Sequence, residues 1–141
     1  MVEVSEPVSL QPGFAYIGRG DSDVVIARKP ELTAMSVPSE PDYLWHPSVD
    51  RLVRTAMDHL RPEQLIGVLM TGMGSDGAEA MSRMRKQGGR TIAESESSAV
   101  IWGMPGELVR LGGADWVIPL PSIAQRLQRL VSSDAPDPQD A

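Results

Sequence analysis

One stretch near the middle of the chain limits the fold more than any other: Leu65-Ile66-Gly67-Val68-Leu69-Met70-Thr71-Gly72-Met73-Gly74-Ser75-Asp76-Gly77-Ala78. Its first six residues carry no charge and read as a buried strand. A glycine-rich turn holding one carboxylate follows at once. Residues 78–87 then read as a helix stopped by Gly88-Gly89. Strand, tight loop and helix form the unit with which open α/β sheets present a site at the carboxyl end of a strand. Any chemistry is therefore expected at residues 71–77.

The 141 residues allow one domain and little more. A net charge of −6 argues against nucleic acid and against anionic membrane surfaces. The chain has no cysteine, so disulfides, thiol catalysis and cysteine-based metal sites fall together. Two histidines far apart in sequence offer no metal cluster. No apolar run reaches the length of a membrane span, and the N-terminus shows no secretory pattern. A cytoplasmic location is the expectation, with no membrane insertion, no metal and no cofactor.

Residues 1–13 are polar and carry two prolines. Residues 14–17 and 24–27 read as two strands of a hairpin, joined by Gly18-Arg19-Gly20-Asp21-Ser22-Asp23. Residues 29–45 are rich in proline and acid and read as a surface connection, with one short strand near 33–37. Ser48 is placed to cap a helix over 49–60, with Asp50 in its first turn where negative charge suits the helix dipole. Val49, Leu52, Val53, Ala56, Met57 and Leu60 make one apolar stripe on it. Further strands are expected at 90–93 and 115–120. Pro105 opens a short helix ended by Gly112-Gly113, and Ser122 with Gln125 reads as a capping box for a helix over 123–131. Residues 132–141 are acidic and proline-bearing and are expected to be disordered. Strands alternating with helices imply a doubly wound α/β fold with a mostly parallel sheet and helices on both faces.

The glycine loop has several readings. Gly72-Met73-Gly74-Ser75-Asp76-Gly77 satisfies G-x-G-x-x-G between a strand and a helix, and Glu94 stands where a ribose-binding acid would. Against a dinucleotide, Asp76 would repel a pyrophosphate, and the unit sits mid-chain after a hairpin. A phosphate loop lacks the following Gly-Lys-Ser/Thr, and a nucleophile elbow would need glycine where Met73 stands. Asp76 itself can orient a histidine for nucleophilic catalysis. The plainer use of Asp76 is as a cap for the helix over 78–87, and the loop taken by itself favours that use.

Several motifs in register carry a resemblance. They are residues 71–78, Gly88-Gly89-Arg90-Thr91-Ile92-Ala93, Ser98-Ala99-Val100-Ile101-Trp102-Gly103-Met104-Pro105, His46-Pro47-Ser48-Val49-Asp50, and Pro12-Gly13-Phe14-Ala15-Tyr16-Ile17. Together they closely resemble the catalytic domain of CheB-type protein-glutamate methylesterases over about residues 4–130. The resemblance implies hydrolysis of glutamate methyl esters, with deamidation of glutamine, on the signalling helices of methylated chemoreceptors. It implies a Ser-His-Asp triad without a metal. Asp76 maps onto the triad acid, Met73 onto a residue beside the triad histidine, and Thr71, Gly72, Met73, Gly74 and Met104 onto the pocket wall.

The departures decide the activity. The family's serine turn and its triad histidine have no counterpart in this chain. His46 falls on a different motif, and His59 is expected to be a solvated residue of the helix over 49–60. Glu94-Ser95 replaces the family's usual Gln-Asp. The family's receiver domain has no counterpart either. An aspartate orients a histidine and does not attack an ester. Residues 1–131 are thus expected to be a partial, N-terminally incomplete methylesterase domain, inactive alone. The alternative is a non-catalytic binding or regulatory module derived from that domain, and the more remote one is a dinucleotide-binding fragment. The absent portion should leave an apolar sheet edge open.

The remaining candidates read as structure. Trp45, Trp102 and Trp116 are too scattered for an aromatic platform, although Trp102 adjoins Gly103-Met104-Pro105 and is the best placed to wall a pocket. Met70, Met81 and Met84 read as core. Glu94 and Glu96 read as solvated loop acids rather than a glycosidase pair.

Overall fold

A computed structural model describes residues 1–132. Residues 133–141 lie outside that description, and with them nearly all of the segment expected to be disordered.

Two small sheets precede the central one. Strands β1 (Val2–Val4) and β3 (Tyr16–Gly18) pair in parallel. Strands β2 (Val8–Ser9), β4 (Asp23–Arg28) and β5 (Leu32–Val37) form an antiparallel sheet in the order β2-β5-β4. The hairpin is therefore not the one expected from the sequence. Residues 24–27 pair forward with 33–36, across a short turn in which Lys29 N–H donates to Glu31 O at 2.9 Å. Six register pairs on a three-residue turn beat the longer loop back to residues 14–17, whose closure orders more chain. Residues 16–18 instead pair with the N-terminal segment, and this draws Val4 into full burial against Val24 and Ala34. The N-terminal residues are thus structured despite their polar composition.

Helix α1 (Val49–His59) begins as expected: Ser48 is extended, and its Oγ accepts from Arg51 N–H at 3.2 Å. It lies along β4, where Thr55 Oγ1 accepts from Ile26 N–H at 3.0 Å. A helix hydroxyl thus satisfies a backbone donor of an edge strand.

The central sheet is parallel, in the order β6 (Ile66–Leu69), β7 (Arg90–Glu94), β8 (Trp116–Ile118). Between the strands run α2 (Ala78–Lys86) and α3 (Met104–Arg110), and α4 (Leu120–Val131) follows β8. Leu69 and Ala93 share one face by register and pack with Ala78, Met81 and Leu108 from α2 and α3. Gly67 lets α2 approach: a Cβ there would lie 2.6 Å from Met81 Cε. Ile92 and Trp116 share the opposite face. There the Arg126 guanidinium of α4 lies 4.9 Å from the Trp116 ring centre. Helices therefore cover both faces, as a doubly wound sheet requires.

Two local expectations fail. Helix α4 starts at Leu120 after Pro119, with no side-chain cap, because Pro121 already has the backbone angle a first helical turn needs. Ser122 sits inside the helix and forms no capping box. Met70 is 42% exposed and not core, whereas Met81 and Met84 are buried as expected. No helix among the described residues is long and apolar enough to cross a membrane.

Candidate functional site

Leu69 is the last residue of β6, and the glycine loop occupies residues 70–77 before α2. Its only titratable side chain, Asp76, is 6% exposed. It does not cap the helix that follows it. The carboxylate turns to the N-terminus of α1. Oδ2 accepts from Val49 N–H at 2.7 Å. Oδ1 accepts from Asp50 N–H at 3.1 Å and from the Ser48 hydroxyl at 3.2 Å. The donors are the open amides of a helix start, where the dipole also favours an anion. A carboxylate has about four acceptor positions, so three donors leave one, on Oδ2. Gly77 permits the turn, with φ of 89°.

The start of α2 is satisfied from the other direction. Asp50 Oδ1 accepts from Ala80 N–H at 3.0 Å. A carboxylate thus already occupies the helix end at which a dinucleotide pyrophosphate would sit.

Behind Ser48 lies a second buried acid. Asp23, at the start of β4, has no exposed surface. It accepts from Ser48 N–H at 2.8 Å, the Arg51 guanidinium at 2.8 Å and the His46 ring at 3.0 Å. Burial alone pushes its carboxyl up. The Arg51 and His46 bonds and the Ser48 amide outweigh this and hold it below the ordinary aspartate value. His46 is thus bound to Asp23, and His59 is exposed at the far end of α1. Among the described residues no hydrogen bond from a histidine reaches Asp76.

The expected pocket residues divide into groups. Thr71, Gly72 and Met104 form one bonded cluster with residues 101–103. Gly72 N–H donates to Ile101 O at 3.0 Å, and Met104 N–H donates to Gly72 O at 2.9 Å. Ile101 N–H donates to Thr71 Oγ1 at 2.9 Å. The backbones approach so closely that a Cβ on Gly103 would lie 2.6 Å from Gly72 O, and one on Gly72 would lie 2.5 Å from Met104 Sδ. Gly74, with φ of 93°, lies under Trp45, 2.6 Å from where its Cβ would be. Met73 stands apart, 74% exposed.

Glu94 is the residue the sequence misled on. It is 1% exposed, neither a solvated acid nor open to a ribose. Its Oε2 accepts from Thr71 N–H at 2.7 Å and its Oε1 from Ser98 Oγ at 2.9 Å. Its carbonyl accepts from Trp102 Nε1–H at 2.7 Å. Glu94 therefore ties the glycine loop, the serine loop and Trp102 together at the end of β7. The signal available was its position: the last strand residue of a buried parallel sheet, directly beside a loop with free amides.

The CheB methylesterase family model matches residues 1–127. A protein-glutamate methylesterase/protein-glutamine glutaminase of Rhodopseudomonas palustris is 56% identical over 138 residues, covering 97% of this chain and 38% of that protein. One of Rhodospirillum rubrum is 53% identical over 133 residues, covering 94% of this chain and 36% of that protein. The crystal structure of the Thermotoga maritima CheB methylesterase catalytic domain superposes with a TM-score of 0.84 at 30% identity. That match covers 92% of this chain and 68% of that one. The chain thus spans well under half the length of these curated relatives.

Proposed function

The chain belongs to the CheB methylesterase family, and on that premise we propose that residues 1–131 form the acid-bearing part of a protein-glutamate methylesterase and glutaminase domain. Asp76 carries the reading. It is a buried carboxylate at the carboxyl end of a parallel strand, held by three donors, with one acceptor position left on Oδ2.

In the complete site, that position takes the Nδ1–H of an imidazole and fixes its tautomer. The imidazole Nε2 removes the proton of a serine hydroxyl, and the oxygen attacks the glutamate ester carbonyl. Methanol leaves with that proton. Water then cleaves the acyl-serine, returning the serine and a free glutamate. For glutamine the leaving group is ammonia. Thr71, Gly72, Gly74 and Met104 shape the wall beside the reacting carbonyl, with Met73 next to the imidazole. The substrates fitting this reading are methylated chemoreceptor signalling helices, in a cytoplasmic setting.

The serine and histidine come from outside these residues, so the chain alone is inactive. The experiment is methyl-ester hydrolysis on methylated receptor by the purified chain and by its Asp76→Asn variant. No turnover by either is expected. Turnover by the chain that vanishes in Asp76→Asn would overturn the division of the triad, because a serine and a histidine within the chain would then be acting.

A further inference from the structure

The hydroxyl of Ser48 serves two neighbours. Its oxygen accepts from Arg51 N–H at 3.2 Å, as the N-cap of α1. A cap uses only a lone pair. The single hydroxyl proton is left over, and it goes to Asp76 Oδ1 at 3.2 Å. Ser48 is 2% exposed, so water does not compete for that proton. The main chain of Ser48 is fixed from behind: its N–H donates to the fully buried Asp23 at 2.8 Å. Arg51 and His46 bond the same carboxylate, so the anchor is itself held on two further sides.

The two oxygens of Asp76 are therefore unequal. Oδ1 takes the Ser48 hydroxyl and Asp50 N–H, which fills both of its lone-pair positions, whereas Oδ2 takes Val49 N–H alone. We propose that Ser48 is a positioning residue for the ester hydrolysis: its hydroxyl closes Oδ1, so that an imidazole N–H is received at Oδ2 and in one orientation. This rests on the methylesterase reading of Asp76. Without the hydroxyl, Oδ1 offers a second open position. The ring could then shift between the two oxygens, and its Nε2 would leave the line to the serine. A donated proton also draws charge from the carboxylate. Its removal leaves Asp76 a stronger partner for an imidazolium.

The test needs a complete site. It uses a hybrid: the Rhodopseudomonas palustris methylesterase with its matching 138-residue segment replaced by this chain, acting on methylated receptor. Ser48→Gly is the informative variant, because glycine caps a helix nearly as well as serine but carries no hydroxyl. It should lower kcat by about tenfold with KM unchanged, within what a displaced catalytic group costs. The acid limb of its kcat profile should move to higher pH, because the imidazolium is better stabilised. Ser48→Thr keeps the hydroxyl and should restore kcat to within about threefold of the serine protein. A folded Ser48→Gly hybrid with unchanged kcat, or with a loss but an unmoved acid limb, would overturn the proposal and leave Ser48 a helix cap. No turnover by the folded hybrid with Ser48 intact would remove the methylesterase reading, and the positioning role with it. A second measurement needs only the 141-residue chain. There the Ser48 hydroxyl proton should exchange with water about tenfold or more slower than that of the exposed Ser39. Equal exchange would overturn the proposal whether or not the hybrid folds.

Discussion

Asp50 and Asp76 cap each other's helices. Asp76, which precedes α2, accepts from Val49 and Asp50 N–H at the start of α1. Asp50, in the first turn of α1, accepts from Ala80 N–H at the start of α2. Each carboxylate faces the positive end of the other helix, so the two helix starts are fixed relative to one another and to the end of β6.

Truncating Asp76 strands two amides and a hydroxyl. Asp76→Ala should destabilise the chain by about 1.5–3 kcal/mol, the range for hydrogen bonds to a charged group. Asp76→Asn, which keeps an acceptor oxygen, should cost about half that. Urea unfolding at unchanged slope measures both, and equal losses in the two variants would show that the charge alone matters.

Glu94 links three segments by one side chain. Glu94→Ala should cost about 1–3 kcal/mol, because the part-buried Thr71 N–H and the Ser98 hydroxyl lose their acceptor. Glu94→Gln keeps one acceptor oxygen and should lose less. The diagnostic reading is amide exchange at Thr71: fast in Glu94→Ala and slow in Glu94→Gln.

Gly74 is constrained twice, by its φ of 93° and by the Trp45 ring. Gly74→Ala should cost about 1–2 kcal/mol from the left-handed backbone alone. Displacing Trp45 should also red-shift its fluorescence, which the backbone effect by itself would not do. Trp45→Phe in the same background removes the signal and identifies its source.

Acid should weaken the fold through Asp23. Its folded value lies below the unfolded value near 3.8. The stabilisation is therefore complete above that value and is lost as pH falls through the folded one. Asp23→Asn should be less stable at neutral pH and show a shallower decline below about pH 4. Thermal melts from pH 7 to pH 3 give both curves, and parallel curves would remove Asp23 from the acid response.

Local sequence rules placed α1, β6, α2, β7 and α3, because each signal there was short-range: apolar period, Ser48 as cap, Pro105 in a first turn, glycine at the stops. The hairpin partner was not legible, since residues 24–27 are apolar throughout and fit either neighbour, so only tertiary pairing chooses between them. The hidden burial of Glu94 and the reach of Asp76 to α1 also depend on segments 23 and 27 residues away in sequence. Residue type named both acids as notable. It could not say which helix or loop each would satisfy.

The contacts of Asp23 set terms for how such a domain can be remodelled. This hairpin residue holds the amide of Ser48, and the hydroxyl of Ser48 touches Asp76. Excising the hairpin to shrink the domain, or grafting the glycine loop onto another scaffold without it, would leave the first turn of α1 without its rear anchor. The hairpin and the loop therefore behave as one transplantable unit, although 52 residues of chain lie between Asp23 and Asp76.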